Sequence, residues 1–465
     1  MHTSDALPSP TRQSSTVRSP WFTLPRRLAT IAAARRHLMP PPLDAAHAAR
    51  QAALRGLRTL YWVECLAGAA MYLLSSVLVL YLGESAGLRS DAAIRTVATI
   101  NALCCLGPLL GGWFADRYIS LSRSVVAGSI TVTMSLLLFA IPQPPLLTAM
   151  ALLILGCALF RSNVIALAGQ LARTANLPVE SAYRRVYVAY NAGATISPLL
   201  VGPLFTRVGW SGLFLAAALT MGTTVLLLCL HFEELQRAAS TRCGSKSIAT
   251  AARVAIAVTA TPPPLRTILG LLVALALWAA CIGQSDGLLL LWARDHTRLQ
   301  LWGLRIVPSM YMALPALLVT LCAPLSSVLE RFAVLRPKPR RLLLGIGTTS
   351  IAMLVLTVTA LLQPAERGSP LALLICYALL GTAEVLVVPI VQNLLSQHWP
   401  TQRAGLAIAS SYAALAAGFY LAGAIGTLSN HIPAAQVFAL LAGLTVASGA
   451  LMAGTTRAKP QQAIR

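Results

Sequence analysis

The chain is 465 residues long, 57% hydrophobic and only 11% charged, with a net charge of +22. A soluble domain carries about 25% charged residues, so these figures exclude a water-soluble globule and imply a polytopic membrane protein. The basic excess does not point to nucleic acid either. With the N-terminus inside, roughly 28 of the 36 Lys and Arg fall on cytoplasmic segments, roughly seven on the other side, and Arg161 within a span.

The first expected segment, 1–56, is rich in Ser, Pro and Arg and reads as a basic, disordered cytoplasmic tail. No long apolar run precedes a cleavage site, which argues against a secretory signal. The stretch from Trp21 to Leu38 has the character of a basic helix on a membrane surface. An Arg-rich, acid-poor start also resembles an organellar transit peptide; the reading adopted is a bacterial tail.

Apolar runs near the ~20 residues that span a bilayer then recur. They predict twelve helices at 57–83, 92–116, 123–142, 145–172, 186–207, 210–231, 266–293, 305–328, 341–362, 370–396, 404–428 and 434–455. A membrane barrel would show short alternating segments instead, and there are none. Between Glu233 and Arg266 the chain turns polar and basic, ending in Pro262-Pro263-Pro264. The expected domains are therefore bundles at 57–231 and 266–455, a cytoplasmic loop at 232–265 and a tail at 456–465. Six spans, a long loop and six more spans is the layout of transporters built from two membrane halves.

Of the fourteen acidic residues, only Glu64, Asp286 and Glu384 lie deep in apolar stretches, matched there by the single cation Arg161. A charge at bilayer depth costs about 2.5–3.5 kcal/mol on insertion scales and more in simulations. Such residues face a bundle interior, pair with each other, or carry ions and substrate. Glu64 with Arg161 reads either as an ion pair that fixes two helices or as a gated pair competing with a substrate carboxylate. Only Glu64 of the two can give up a proton, since arginine stays charged. Removal from water penalises a carboxyl's charged form, so Glu384 suits proton exchange, the alternative being a protonated packing group. Asn191 reads as a backbone-binding group or as an interhelical hydrogen bond. The nine cysteines show no metal spacing and no disulfide framework. No HExxH, GxxxxGK[ST] or GxSxG motif occurs, so an enzyme or an ATP-driven pump is not expected.

Four stretches carry a family resemblance. The second span ends in Gly107-Pro-Leu-Leu-Gly111-Gly112-Trp-Phe-Ala-Asp116-Arg117-Tyr. This is similar to the loop 2–3 signature of the major facilitator superfamily, and its GGWxADRY form resembles that of the proton-dependent oligopeptide transporter family. Phe160-Arg161-Ser162-Asn163-Val resembles that family's fourth-helix segment, with Arg161 at its lysine position. Tyr187-Val-Ala-Tyr190-Asn191-Ala-Gly193 resembles the fifth-helix motif, and Ala383-Glu384-Val-Leu-Val-Val-Pro389 the tenth. The chain departs from the pattern in two places. Cys65 stands where the first-helix arginine is expected, and Gly283 where a seventh-helix glutamate is usual. Asp286, three positions on, lies near the same helical face as Gly283 if the helix is continuous, which makes it a candidate replacement; a slight shift would place it at the outer mouth beside Arg294 and Asp295.

The resemblance implies an all-α polytopic membrane protein, twelve transmembrane helices in two six-helix bundles, working by alternating access. It implies proton-coupled transport of di- or tripeptides or peptide-like molecules. Protons would move through Glu64, Glu384 and Asp286, and no cofactor or metal is expected. Arg161, Asn191, Glu384, Gln284, Tyr187, Tyr190 and Trp278 would contact substrate, and Gly111, Gly112, Asp116 and Arg117 would form a conformational loop. The expected setting is a bacterial inner membrane, with both termini cytoplasmic, a monomeric unit, and no nucleic-acid partner. Two alternatives stand beside it: proton-driven export of a peptidic or amphipathic natural product, and a non-transporting sensor or scaffold.

Overall fold

A computed structural model describes residues 43–240, 265–322, 328–329, 331–334, 336–362, 367–398 and 404–457. The expected tail at 1–56 therefore lies mostly outside the described residues, as do most of the central loop and the last eight positions. By its contacts the chain divides into Met1–Ala48 and Ala49–Arg465, and the second unit holds the membrane body.

Its elements are α1 (Leu43–Glu84), α2 (Ser90–Tyr118), α3 (Leu121–Ala140), α4 (Leu146–Thr174), α5 (Val179–Leu230), α6 (Phe232–Ser240), α7 (Leu265–Ile282) and α8 (Leu288–His296). A short hairpin, β1 (Gln300–Leu301) with β2 (Leu304–Arg305), leads through a 3-10 turn at Pro308–Met312 into α9 (Ala313–Leu321). Then follow α10 (Lys338–Leu362), α11 (Pro370–His398), α12 (Ala404–Gly426) and α13 (Ala434–Arg457). Helices dominate because no water reaches the hydrocarbon, so backbone groups must pair within each segment.

Ten described helices are long and apolar enough to cross a membrane. One of them, α5, is 52 residues long and bends at Gly209, whose φ of 61° is open to glycine and strained for other residues. Its two arms, 179–208 and 210–230, each have the length of one span, and the shorter apolar helix Pro308–Leu321 supplies another. The twelve expected spans are thus present among the described residues. Three differ from expectation. The first helix starts at Leu43, because its polar entry remains helical. The seventh is broken between Ile282 and Leu288, a break that hydropathy does not register. The eighth begins at Pro308, after the hairpin over Gln300–Arg305, and 323–327 of its expected course lie outside the described residues.

Helix faces turned outward carry Leu147, Leu219 and Leu226 in the open, as expected where the solvent is lipid. Inside, helices approach through small residues. A Cβ on Gly68 would meet the Tyr190 carbonyl, and one on Gly193 would meet the Cys65 carbonyl. These two contacts press α1 against the first arm of α5. The six spans before residue 241 meet the six after residue 264 through α2 on α12 and α5 on α9. Gly423 faces Ala98, Gly426 faces Ile94, and Gly202 faces Val307 and Met310. All of these contacts lie toward the ends where α1 finishes and α2 begins, so the bundle is closed there.

Candidate functional site

Glu64 sits on α1, eight residues before Tyr72, and is only 1% exposed. Arg161 reaches it from α4, with Nη1 3.5 Å from Oε2. The Arg161 side chain is one-third exposed, so the cation faces the interior space while the carboxylate stands behind it. The other Glu64 oxygen, Oε1, is buried without a hydrogen-bond partner among the described residues. The guanidinium also lies 4.0 Å from the centre of the Tyr190 ring, a cation–π geometry. Tyr190 in turn meets Tyr72 edge to face, with centroids 6.0 Å apart.

Tyr72 opens onto a pocket of about 40 Å³, lined also by Ile282, Ser285, Met312, Pro315, Tyr377, Leu380 and Glu384. Tyr187 donates from its hydroxyl to Glu384 Oε1 at 3.4 Å. Contacts run from Glu64 and Arg161 through Tyr190 to Tyr72, and Tyr72 shares the pocket with Glu384, which Tyr187 holds. They join α1, α4 and α5 of the first six spans to α11 of the last six. Tyr72 is a member that sequence reading did not single out; its signal was a polar-tipped aromatic in the apolar run that also holds Glu64.

Asn191 is buried, and its amide donates to the Tyr187 carbonyl at 2.9 Å within its own helix. Asp286 does not lie on a helical face shared with Gly283, because residues 283–287 form the turn that breaks the seventh span. Its carboxylate instead accepts from Asn101 Nδ2 on α2 at 2.7 Å. Asn101 is another polar residue in an apolar run whose signal went unused. Gly283 has no room for a side chain: a Cβ would stand 2.7 Å from Phe419 and 3.0 Å from Ala422.

Two residues expected to contact substrate are enclosed between helices in this conformation. Gln284 is 1% exposed, and its Nε2 donates to the carbonyls of Ala280 and Ala422, each at 3.0 Å. It ties the broken seventh span to α12. Trp278 is fully enclosed, and its indole N–H donates to Thr349 at 3.0 Å. Both join helices here. Toward the closed end, Arg294 binds Asp295 at 2.7 Å and Glu84 at 3.4 Å, the latter across the two sets of spans.

In the 111–117 stretch, Gly111 packs against the Ala158 carbonyl and Gly112 lies near Ser162. The Arg117 guanidinium stands 5.9 Å from the Trp113 ring. The Asp116 side chain lies outside the described residues. Asn163 binds the Gly111 carbonyl, Ser124 Oγ and the Leu159 carbonyl, so it joins α2, α3 and α4.

Residues 60–427 match the sequence pattern of the Major Facilitator Superfamily. The chain belongs to that superfamily. Among curated proteins, a di-/tripeptide transporter of Lactococcus lactis is 29% identical over 206 residues, 42% of this chain and 41% of that one. The match thus spans about two-fifths of that relative's length. An uncharacterised transporter of Bacillus subtilis is 21% identical over 86% of this chain and 92% of its own. Among solved structures, a variant of the peptide transporter POT in complex with alafosfalin superposes with a TM-score of 0.75 at 20% identity, covering 87% of this chain and 94% of that chain. A POT family transporter in complex with a thioalcohol-conjugated peptide gives 0.76 at 15% identity, over 86% and 96%. These likenesses establish the major facilitator fold.

Proposed function

We propose that the protein is a secondary transporter of di- or tripeptides or peptide-like molecules, driven by protons and working by alternating access. One observation carries the reading: a cation, Arg161, and a carboxylate, Glu384, stand on opposite sets of spans, the first against the Tyr190–Tyr72 pair and the second across the pocket that Tyr72 also lines. A zwitterionic peptide presents a carboxylate to the first and an ammonium to the second. Arginine can hold a carboxylate through two parallel bonds, and its exposed side is the one turned to the interior space. Kinship in name with peptide transporters among the relatives supports the same substrate class.

Glu64 and Glu384 then exchange protons with the substrate site. When a substrate carboxylate takes up part of the Arg161 charge, Glu64 loses compensation and favours its neutral form. Asp286 serves the closure between α2 and the seventh span, through Asn101. The two halves are the six-helix bundles 57–231 and 266–455, and substrate binds between them in a monomer. The setting is a bacterial inner membrane. Charge bias puts both termini in the cytoplasm, so the closed end faces outward and the conformation is inward-facing. Asn191, bonded to its own helix turn, retains its amide oxygen for a substrate N–H.

The test is uptake of labelled dialanine into proteoliposomes under an imposed inward proton gradient, for the wild type and Glu384→Gln. Gradient-driven uptake that the variant loses is the expected result. No uptake by folded wild type would overturn peptide import. Two features favour export of a larger peptide-like compound in that case: Cys65 in place of the expected first-helix arginine, and the sealed position at Gly283.

A further inference from the structure

On α11, Tyr377, Leu380 and Glu384 follow one another at intervals of three and four residues, hence on one face of the helix, and all three line the pocket that Tyr72 opens onto. The walls of this pocket are held from behind. A Cβ on Gly381 would stand 2.6 Å from the Pro315 Cα and 3.0 Å from its carbonyl oxygen, so α9 lies directly against α11 beside the pocket. The Tyr377 hydroxyl donates to the Ser285 carbonyl, in the turn that breaks the seventh span. The Tyr377 ring stacks on Tyr311, with centroids 5.8 Å apart and planes at 17°, and both tyrosines are fully buried. Walls backed in this way have little space to retreat into, because protein interiors are close-packed. Ile282, Met312 and Leu380 make the remaining lining apolar. The pocket measures about 40 Å³. A single water needs about 10–15 Å³, and an engineered cavity that takes benzene measures about 150 Å³. There is room here for a methyl or hydroxymethyl group and none for an isobutyl or phenyl group.

We infer that this pocket is a size filter for the first side chain of a peptide: it admits glycine, alanine or serine at the amino-terminal position and rejects leucine or phenylalanine there. The inference rests on the proposed reading in which Glu384 receives the substrate ammonium. The carbon that bears the ammonium also bears the first side chain, so an ammonium held at Glu384 delivers that side chain into the cavity Glu384 lines. The second side chain lies nearer the carboxylate, toward Arg161, which is one-third exposed to the interior space. It escapes the filter. Leu380 sets the limit as a wall, and Tyr377 sets it by holding the broken seventh span in place. A surplus methylene in a hydrophobic pocket is discriminated against by about 10–200-fold. Two dipeptides of identical composition and charge should therefore differ in affinity by their order alone.

The experiment measures uptake of labelled dialanine by the full-length protein in proteoliposomes, with unlabelled Ala-Leu, Leu-Ala, Ala-Phe and Phe-Ala as competitors. Ala-Leu and Ala-Phe should compete, and Leu-Ala and Phe-Ala should need concentrations at least about 10-fold higher. In Leu380→Ala the wall recedes, and the gap between Leu-Ala and Ala-Leu should narrow. Equal competition by the two orders, or stronger competition by Leu-Ala, would overturn the size filter and leave peptide transport standing. Absence of dialanine uptake by folded wild type would overturn the reading beneath it, and the filter with it. The wild-type series decides the inference even where the variant folds poorly.

Discussion

The guanidinium of Arg161 is held between Glu64, 3.5 Å away, and the face of Tyr190, 4.0 Å away. Neither contact is a tight, two-pronged ion pair, since charge-assisted N–H···O bonds run nearer 2.7–2.9 Å. The cation is positioned without being consumed, and its exposed side remains open to an anion. Lysine in this position would carry the charge as a compact point and lose the planar stacking on the ring.

Arg161→Lys is therefore expected to keep proton-driven uptake and to raise KM. A cation–π contact contributes about 0.5–2 kcal/mol, equivalent to roughly a two- to thirty-fold change. Arg161→Ala leaves Glu64 buried with no counter-charge, and breaking a buried pair in this way costs about 3–5 kcal/mol. Adding Glu64→Gln to that variant should recover much of the lost thermal stability while transport stays absent. Melting curves of the single and double variants, alongside uptake, check both halves. A double variant no more stable than Arg161→Ala would refute the pair's role.

Asp286 and Asn101 join the seventh span to α2 at 2.7 Å, toward the closed end of the bundle. A hydrogen bond to a charged group contributes about 1.5–3 kcal/mol. Protonating Asp286 or replacing it with Asn weakens that bond, so low pH and Asp286→Asn should both favour opening at this end. Spin labels at Leu88 and Asn430, read by pulsed electron resonance, should show a longer-distance population that grows as pH falls in the wild type. In Asp286→Asn that population should be present throughout and insensitive to pH. Unchanged distances in the variant would remove this bond from the closure.

The fold was largely legible because the bilayer imposes it: apolar runs of span length must become helices whatever their detailed sequence. The charged part of the candidate site stands out in the sequence for the same reason, since Glu64, Arg161 and Glu384 lie among apolar neighbours. The break at 283–287 was not, because hydropathy measures transfer to lipid and is indifferent to a turn sheltered by other helices. That omission put Asp286 on a helical face shared with Gly283, which the turn does not give it. Gln284 and Trp278 were read as lining residues because a polar or aromatic side chain in a span fits packing and binding equally well. Their partners, Ala422 and Thr349, support the packing reading.

Gly283 offers a sharp steric test. A glutamate introduced there would drive its Cβ against Phe419 and Ala422 before the carboxylate found any partner. Gly283→Glu is therefore expected to lower folded yield and leave uptake unimproved. Pairing it with Phe419→Ala should relieve the clash and recover yield in part. Monodispersity on size-exclusion chromatography reads the first effect and proteoliposome uptake the second. Enhanced uptake by the single variant would show that the seventh span can shift away from α12.

Gly193 makes the closest use of a missing side chain near the site, because its Cα lies over the Cys65 carbonyl. That approach brings α1 against α5 and so sets Glu64, on the same turn as Cys65, behind Tyr190 and Arg161. Alanine at this position cannot be absorbed by a rotamer change, since the obstacle is backbone. Overpacking of this kind costs about 1–3 kcal/mol, and Gly193→Ala should lower Tm and separate the two helices. Uptake should fall more than stability does, because the displaced α1 carries Glu64 with it. Gly347→Ala, where a Cβ meets nothing within 4 Å, is the matched control and should leave both properties unchanged. Equal losses in the two variants would show that the α1–α5 approach has no special bearing on the site.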